Sequence, residues 1–348
     1  MRLHEFFKRR EANGQPLVLV TVIETEGSTY SKAGGQMIID HEGQFCGMLS
    51  GGCLEGDLVE RARQVISTGK PETASYDLSL DDELWGLGVG CDGTIHVMLQ
   101  PLLPETDYQP FASIAEILDG SESAVVAIIV ESESSAIKAG ASVFVSDRGI
   151  NRYGLSEADA AVLAREADFS GTARTKEIVT GQGCCQALFV RIVPSPSLLV
   201  LGAGPDSEPV VRIASELGWR CTVSDHRPAY VENRSYPEPT RALCCAADEL
   251  SGRLNPNGFD VAIVMSHHLA SDRSYLRQLA ASDVGYIGLL GPPGRRGRLV
   301  DELGDEANAL RGRLHGPAGM QLGGRGPGPI ALEIVAEMQQ FLARRDEA

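Results

Sequence analysis

The chain has 348 residues, a formal net charge of −16, 43% apolar residues and 22% charged ones. At roughly 150 residues per domain this length points to two domains, each large enough to bury a core without disulfide staples. A polypeptide this acidic repels phosphate backbones and anionic membrane surfaces, so neither nucleic acid nor a membrane is expected as a partner.

Residues 1–10 lack the apolar stretch of a secretion signal and read as a short amphipathic helix. Strands are predicted over residues 17–23 and 36–40, with turns at Gly34-Gly35 and Glu42-Gly43. A helix should occupy residues 54–67, opened by Ser50-Gly51-Gly52-Cys53. Residues 94–99 alternate faces as a strand that stops before Pro101. Then come a helix near 111–118, strands at 124–130 and 142–145, a helix at 157–166 and a strand at 187–193. Pro194-Ser195-Pro196-Ser197 suits a linker, since its prolines cannot join a sheet interior. The domains are therefore placed at 1–195 and 196–348.

In the second half the apolar run 198–201 enters Gly202-Ala203-Gly204, and Val210, Val211, Ala214 and Leu217 recur at helical spacing before Gly218. Further strands are expected at 220–224, 242–245, 260–265 and 284–289, and helices at 272–281, up to Leu303, and at 329–342. Strands alternating with helices imply a parallel, doubly wound sheet. The fold class is α/β, with a mixed α/β N-terminal domain followed by a Rossmann-like parallel-sheet C-terminal domain.

Gly202-x-Gly204 between a strand and a helix has the form of a phosphate turn, where backbone amides approach an anion. Asp225, at the end of the next strand, stands where an acidic side chain holds ribose hydroxyls. Ser207 takes the place of the third glycine, and Asp206 would repel a bound pyrophosphate. The residues leave open both a nucleotide-like ligand and a turn that has lost its phosphate site. Ser266-His267-His268 and the basic cluster Arg295, Arg296 and Arg298 follow later strands, at the sheet edge where open α/β folds bind ligands. His267 suits a ligand contact or a structural hydrogen bond; the arginines suit an anion or simply offset Asp301 and Glu302. The 8 cysteines are too few for a disulfide scaffold, none is spaced C-x-x-C, and a reducing, cytoplasmic setting is expected. Cys53, at a helix start, and Cys91, in Gly86-Leu87-Gly88-Val89-Gly90-Cys91, lie in glycine-dense stretches where a bulky ligand could approach a soft thiolate. The vicinal pairs Cys184-Cys185 and Cys244-Cys245 are expected in the core.

Taken in order, these segments resemble the XdhC/CoxI family, accessory proteins that mature molybdenum hydroxylases such as xanthine dehydrogenase. The likeness rests on Gly27-Ser28-Thr29-Tyr30, Ser50-Gly51-Gly52-Cys53-Leu54-Glu55, Trp85 to Cys91, Leu201 to Gly204, Asp225-His226-Arg227, Met265-Ser266-His267, Tyr286 to Gly291 and His315 to Gly319. The resemblance implies a maturation chaperone that binds the molybdenum cofactor (molybdopterin). It would support sulfuration together with a cysteine desulfurase and deliver the cofactor to an apo-hydroxylase, with a homodimer as the expected assembly. By the same resemblance Cys53 and Cys91 become candidates for touching molybdenum or its sulfur. Gly202, Gly204, Asp225, His267, Arg295 and Arg296 become candidates for the cofactor's phosphate or a nucleotide form of it. Three other readings stay in view: an NAD(P)-dependent oxidoreductase, against which the absence of a Tyr-x-x-x-Lys pair argues; a ligand-free scaffold; and a nucleotidyltransferase acting on the cofactor, against which the lack of paired carboxylates for Mg²⁺ in a nucleotide-binding loop argues.

Overall fold

A computed structural model describes residues 2–78 and 93–347, and the chain divides into two units, Met1–Pro194 and Ser195–Ala348. In the first unit β1 (Leu17–Gly27), β2 (Gln36–Asp40), β3 (Phe45–Cys46), β4 (Glu72–Asp77) and β5 (Gly93–Leu102) form an antiparallel sheet in the order β3-β2-β1-β5-β4. A second antiparallel sheet holds β6 (Ala124–Ser132), β7 (Ser142–Ser146), β8 (Gly149–Tyr153), β9 (Arg174–Thr180) and β10 (Gly183–Ile192), ordered β8-β7-β6-β10-β9. The strand expected to stop before Pro101 instead runs on to Leu102. Pro101 pairs with Val18 but lies beyond the stretch that β4 covers, so its missing N–H breaks no ladder on that side.

Side-chain alternation along β1 divides this unit into layers. Val18, Val20 and Val22 pack beneath helix α1 (Glu55–Thr68) through Leu58, Ala62 and Val65. Leu17 and Leu19 turn the other way, into a core shared with Val126, Ile128, Leu188 and Val190 of the second sheet. Phe7, from the opening helix Leu3–Glu11, plugs that core, edge-on to Tyr108 and to Phe111 of the helix Phe111–Asp119, with ring centroids 5.9 and 5.0 Å away. The outer face of the second sheet buries Val125, Ala127 and Ile129 against Ala160 and Leu163 of the helix Glu157–Arg165.

The second unit is a parallel sheet of β11 (Ser197–Leu201), β12 (Arg220–Asp225), β13 (Arg241–Cys244), β14 (Val261–Val264), β15 (Tyr286–Leu289) and β16 (Leu314–His315), ordered β13-β12-β11-β14-β15-β16. This is the doubly wound Rossmann order, with its switch point between β11 and β14. On one face Val210, Val211 and Ala214 of α2 (Ser207–Glu216) and Ile334, Val335 and Met338 of α3 (Pro327–Glu347) cover Leu198, Val200 and Ile263. On the other, Tyr275, Leu276 and Leu279 of α4 (Leu269–Ala280) and Leu299 and Leu303 of α5 (Pro293–Leu303) cover Leu199, Leu201 and Ala262. Because both faces are covered, the central strands β11 and β14 read in sequence as nearly unbroken apolar runs.

Not all of the vicinal cysteines are core residues. Cys185 and Cys245 are buried, whereas Cys184 is half-buried and Cys244 exposed. Neighbouring residues in extended chain point to opposite sides, so only one of each pair can face inward.

Candidate functional site

The Ser50-Gly51-Gly52-Cys53 segment is a tight loop in front of α1, and Glu55 in the helix's first turn holds it closed. One carboxylate oxygen of Glu55 accepts the amides of Leu49 (2.9 Å) and Ser50 (3.0 Å). The other accepts the Ser50 hydroxyl (2.6 Å) and the Gly52 amide (3.0 Å). The Ser50 hydroxyl oxygen in turn accepts the Leu54 amide at 2.8 Å. Burial alone would raise the Glu55 pKa, but the bonds from Ser50 and Leu49 outweigh it and hold the carboxyl below its ordinary value. The amides of Leu49, Ser50 and Gly52 are therefore spent on a protein carboxylate and do not face a phosphate. What the loop offers a ligand is the half-buried thiol of Cys53, between Gly51 and Gly52, which are exposed, and the helix.

Sequence reasoning named Cys53 and passed over Glu55; its signal was an acidic residue one turn after a glycine loop, as in a capping box. Tyr30 leans on this loop, its ring 3.7 Å from where a Cβ on Gly51 would lie. Gly93, paired with Gly27, lies so close that a Cβ there would sit 2.5 Å from the Glu26 carbonyl oxygen and 2.6 Å from that of Ser28. Only glycine permits that approach, so the Gly27-Ser28-Thr29-Tyr30 motif joins the Cys53 loop to the start of β5. Cys91 lies outside the described residues.

In the second unit the predicted residues converge on the carboxyl ends of the strands. Gly202, at φ +128°, brings the turn against β14: a Cβ there would lie 2.5 Å from the Met265 carbonyl oxygen and 2.7 Å from the Ser266 nitrogen. The Gly202 amide bonds to the Ser224 carbonyl, and the Ala203 amide bonds to Asp225, each at 2.8 Å. Ser207, where a third glycine was looked for, is fully buried and bridges the Gly204 carbonyl (2.7 Å) and the Tyr236 hydroxyl (2.8 Å).

Asp225 is completely buried, and four donors fill its carboxylate. Oδ1 takes the Arg227 amide and Nε, both at 2.9 Å; Oδ2 takes the Ala203 amide and Arg227 Nη2 at 2.7 Å. Burial would raise its pKa; the Arg227 and Ala203 bonds prevail and lower it. Its carboxylate is thus used for fastening the turn to β12, with no oxygen left over for a ribose.

His267 has φ +60°, which a non-glycine side chain adopts at a cost, and its Nε2 lies 2.7 Å from Asp206 Oδ2. Arg295 bonds through Nε to Asp272 at 3.0 Å, and the same buried carboxylate accepts the Ser266 hydroxyl. Asp272 therefore ties the His267 loop to α5. Of the basic cluster, Arg298 pairs with Glu302 at 2.8 Å, while Arg296 is exposed and makes no hydrogen bond or ion pair with the described residues. Pro292 and Pro293 remove two donors from the start of α5, and the Arg295 amide is spent on the Pro292 carbonyl at 2.9 Å. Among the described residues no three metal-binding side chains come together.

The parallel sheet and its glycine turn set the second unit among known domains: residues 198–338 match the XdhC Rossmann domain, and residues 11–77 match the XdhC and CoxI family. The chain belongs to the XdhC and CoxI family. It is 29% identical over 328 residues to a Bacillus subtilis protein described as a probable subunit of xanthine dehydrogenase, covering 94% of this chain and 93% of that one. It is 32% identical over 95 residues to the "molybdenum cofactor insertion chaperone PaoD" of Escherichia coli, a match spanning 26% of this chain and 30% of PaoD. A crystal structure from Bacillus halodurans, titled a xanthine dehydrogenase, superposes with a TM-score of 0.78 at 29% identity and covers 99% of this chain and 97% of its own. No helix among the described residues is long and apolar enough to cross a membrane.

Proposed function

We propose that the chain is an accessory chaperone that takes the molybdenum cofactor as cargo, supports its sulfuration and promotes its insertion into a molybdenum hydroxylase. The observation that carries this reading is the Cys53 loop: a thiol set among glycines, with the amides of Leu49, Ser50 and Gly52 committed to Glu55. A loop of this kind favours a soft thiolate contact over phosphate binding, which suits molybdenum or its terminal sulfur. Family membership and the PaoD-like segment point the same way. Cys53 is the proposed contact, joined by Cys91. In the second unit Gly202, Gly204, His267 and Arg296 are the proposed cofactor-binding residues, with Asp225 and Arg295 holding the crevice in shape. The proposed partners are an apo-hydroxylase and a cysteine desulfurase, the proposed assembly a homodimer and the proposed compartment the cytoplasm. A nicotinamide oxidoreductase is disfavoured by the filled carboxylate of Asp225.

The test is anaerobic titration of the purified protein with molybdenum cofactor, wild type beside Cys53→Ser, with pterin and metal quantified after gel filtration. Stoichiometric co-elution that the substitution abolishes is expected. Binding that survives the substitution moves the contact away from Cys53, and no binding by either protein refutes the cargo reading.

A further inference from the structure

The Rossmann turn of the second unit carries a negative charge where dinucleotide-binding turns seat a diphosphate. Asp206, the residue before the first turn of α2, folds its carboxylate back over the glycine turn: a Cβ on Gly204 would lie 2.5 Å from Asp206 Oδ1. That oxygen is buried and accepts no hydrogen bond from the described residues. The other oxygen is held by His267, whose ring lies across the same glycine, with Cδ2 3.8 Å from the Cβ position. His267 adopts a left-handed backbone to do so while its side chain stays 60% exposed. Two unfavourable features, a strained backbone and a buried acceptor without a donor, thus coincide on one contact. Such features persist where they serve a purpose other than stability.

The surrounding donors reinforce the effect. Pro205 and Pro209 have no N–H, the Ala203 amide is spent on Asp225 and the Ser207 amide on the Gly204 carbonyl at 3.0 Å. A diphosphate in the usual seat would therefore meet a carboxylate and a reduced set of amides, and like charges repel strongly in a partly desolvated crevice.

We propose that Asp206, held in place by His267, is a specificity determinant that bars diphosphate-bearing ligands from the crevice of the second unit. Where the cargo reading above holds, on which this consequence rests, a dinucleotide form of the cofactor cannot seat its diphosphate on the glycine turn.

The test uses ADP-ribose as probe, which carries a diphosphate and no pterin, so its result stands apart from the cofactor titration. By calorimetry, wild type should bind ADP-ribose no more tightly than adenosine. Asp206→Asn and Asp206→Ala, checked for folding by thermal melting, should bind ADP-ribose roughly tenfold or more tightly than wild type, because one like charge is removed. His267→Ala keeps the charge but releases the Asp206 carboxylate, so its gain should be smaller than that of Asp206→Ala. Tighter binding of ADP-ribose than adenosine by wild type overturns the proposal whatever the variants do. So does a folded Asp206 variant with no gain, or a gain in His267→Ala equal to that in Asp206→Ala, which would make the imidazole the barrier.

Discussion

Replacing Glu55 tests whether a carboxylate, and not merely a loop sequence, presents Cys53. Glu55 is 3% exposed and accepts three amides and a hydroxyl. In Glu55→Gln the side-chain carbonyl can keep the Leu49 and Ser50 amides. The new NH2 group cannot accept the Gly52 amide, and the Ser50 hydroxyl must reverse its bond. One bond is lost outright and the rest lose charge assistance, which roughly halves them, for a cost of about 2 kcal/mol. Glu55→Ala abandons all four donors; water reaches some of them at the exposed Gly51 and Gly52, so the cost is about 4 kcal/mol.

Urea denaturation at pH 7 measures both variants, and alkylation of the Cys53 peptide, followed by mass spectrometry, should accelerate several-fold as the loop opens more often. The pH dependence has a fixed sign. The folded Glu55 pKa lies below its ordinary 4.5, so its stabilisation is complete above that value and is lost as pH falls through the folded pKa. The gap between wild type and Glu55→Gln should therefore hold steady from neutral pH down to about 5 and close below it. A Gln variant within about 0.5 kcal/mol of wild type at pH 7, with unchanged alkylation, would refute the reasoning.

Asp272→Ala should cost about 3 kcal/mol, because it leaves the Arg295 cation, 21% exposed, without its partner and the Ser266 hydroxyl without an acceptor; thermal melting checks it. Gly202→Ala should cost about 3 kcal/mol or more, since φ +128° and the Met265 carbonyl 2.5 Å away both forbid a Cβ; loss of soluble expression or a sharply lowered melting temperature is the readout. Arg296→Glu, at an exposed position, should leave stability within about 0.5 kcal/mol while weakening cofactor binding in a salt-dependent way, and binding that survives removes Arg296 from the site.

The parallel unit was legible because its strands are buried on both faces and separated by helices with apolar stripes; β11 and β14 are nearly pure Leu, Val and Ile. The strands that sequence reasoning passed over share one property. β3, β4, β8 and β9 are the outermost strands of the two antiparallel sheets, and β16 is an outermost strand of the parallel one. An edge strand turns most of its residues to water: β8 is Gly-Ile-Asn-Arg-Tyr and almost wholly exposed, and β9 carries Arg174, Lys176 and Glu177. Such segments lose the hydrophobic signal and keep their pairing through backbone bonds that composition does not report. At the site, the glycines and Cys53 stood out because their neighbours were unusual. Glu55 and Asp272 did not, since a lone acidic residue near a helix start is commonplace on a surface; only the fold shows these two buried. Asp225 stood out as well, but its sequence position could not reveal that Arg227, two residues away, fills it.

The helix α3 has a consequence for how the second unit is made. It lies beside α2 and packs against β15, and Glu337 within it takes the Tyr286 hydroxyl at 2.7 Å and the Gly319 amide at 2.6 Å. During synthesis, β11, β12, β14 and β15 therefore leave the ribosome well before the helix that shares in covering one face. Until Ile334, Val335 and Met338 emerge, Leu198, Val200 and Ile263 lack part of their cover, a period in which nascent chains are prone to stick to one another. The unit completes itself from its last-made end, and a chain halted just short of α3 would be a client for chaperones rather than a working fragment.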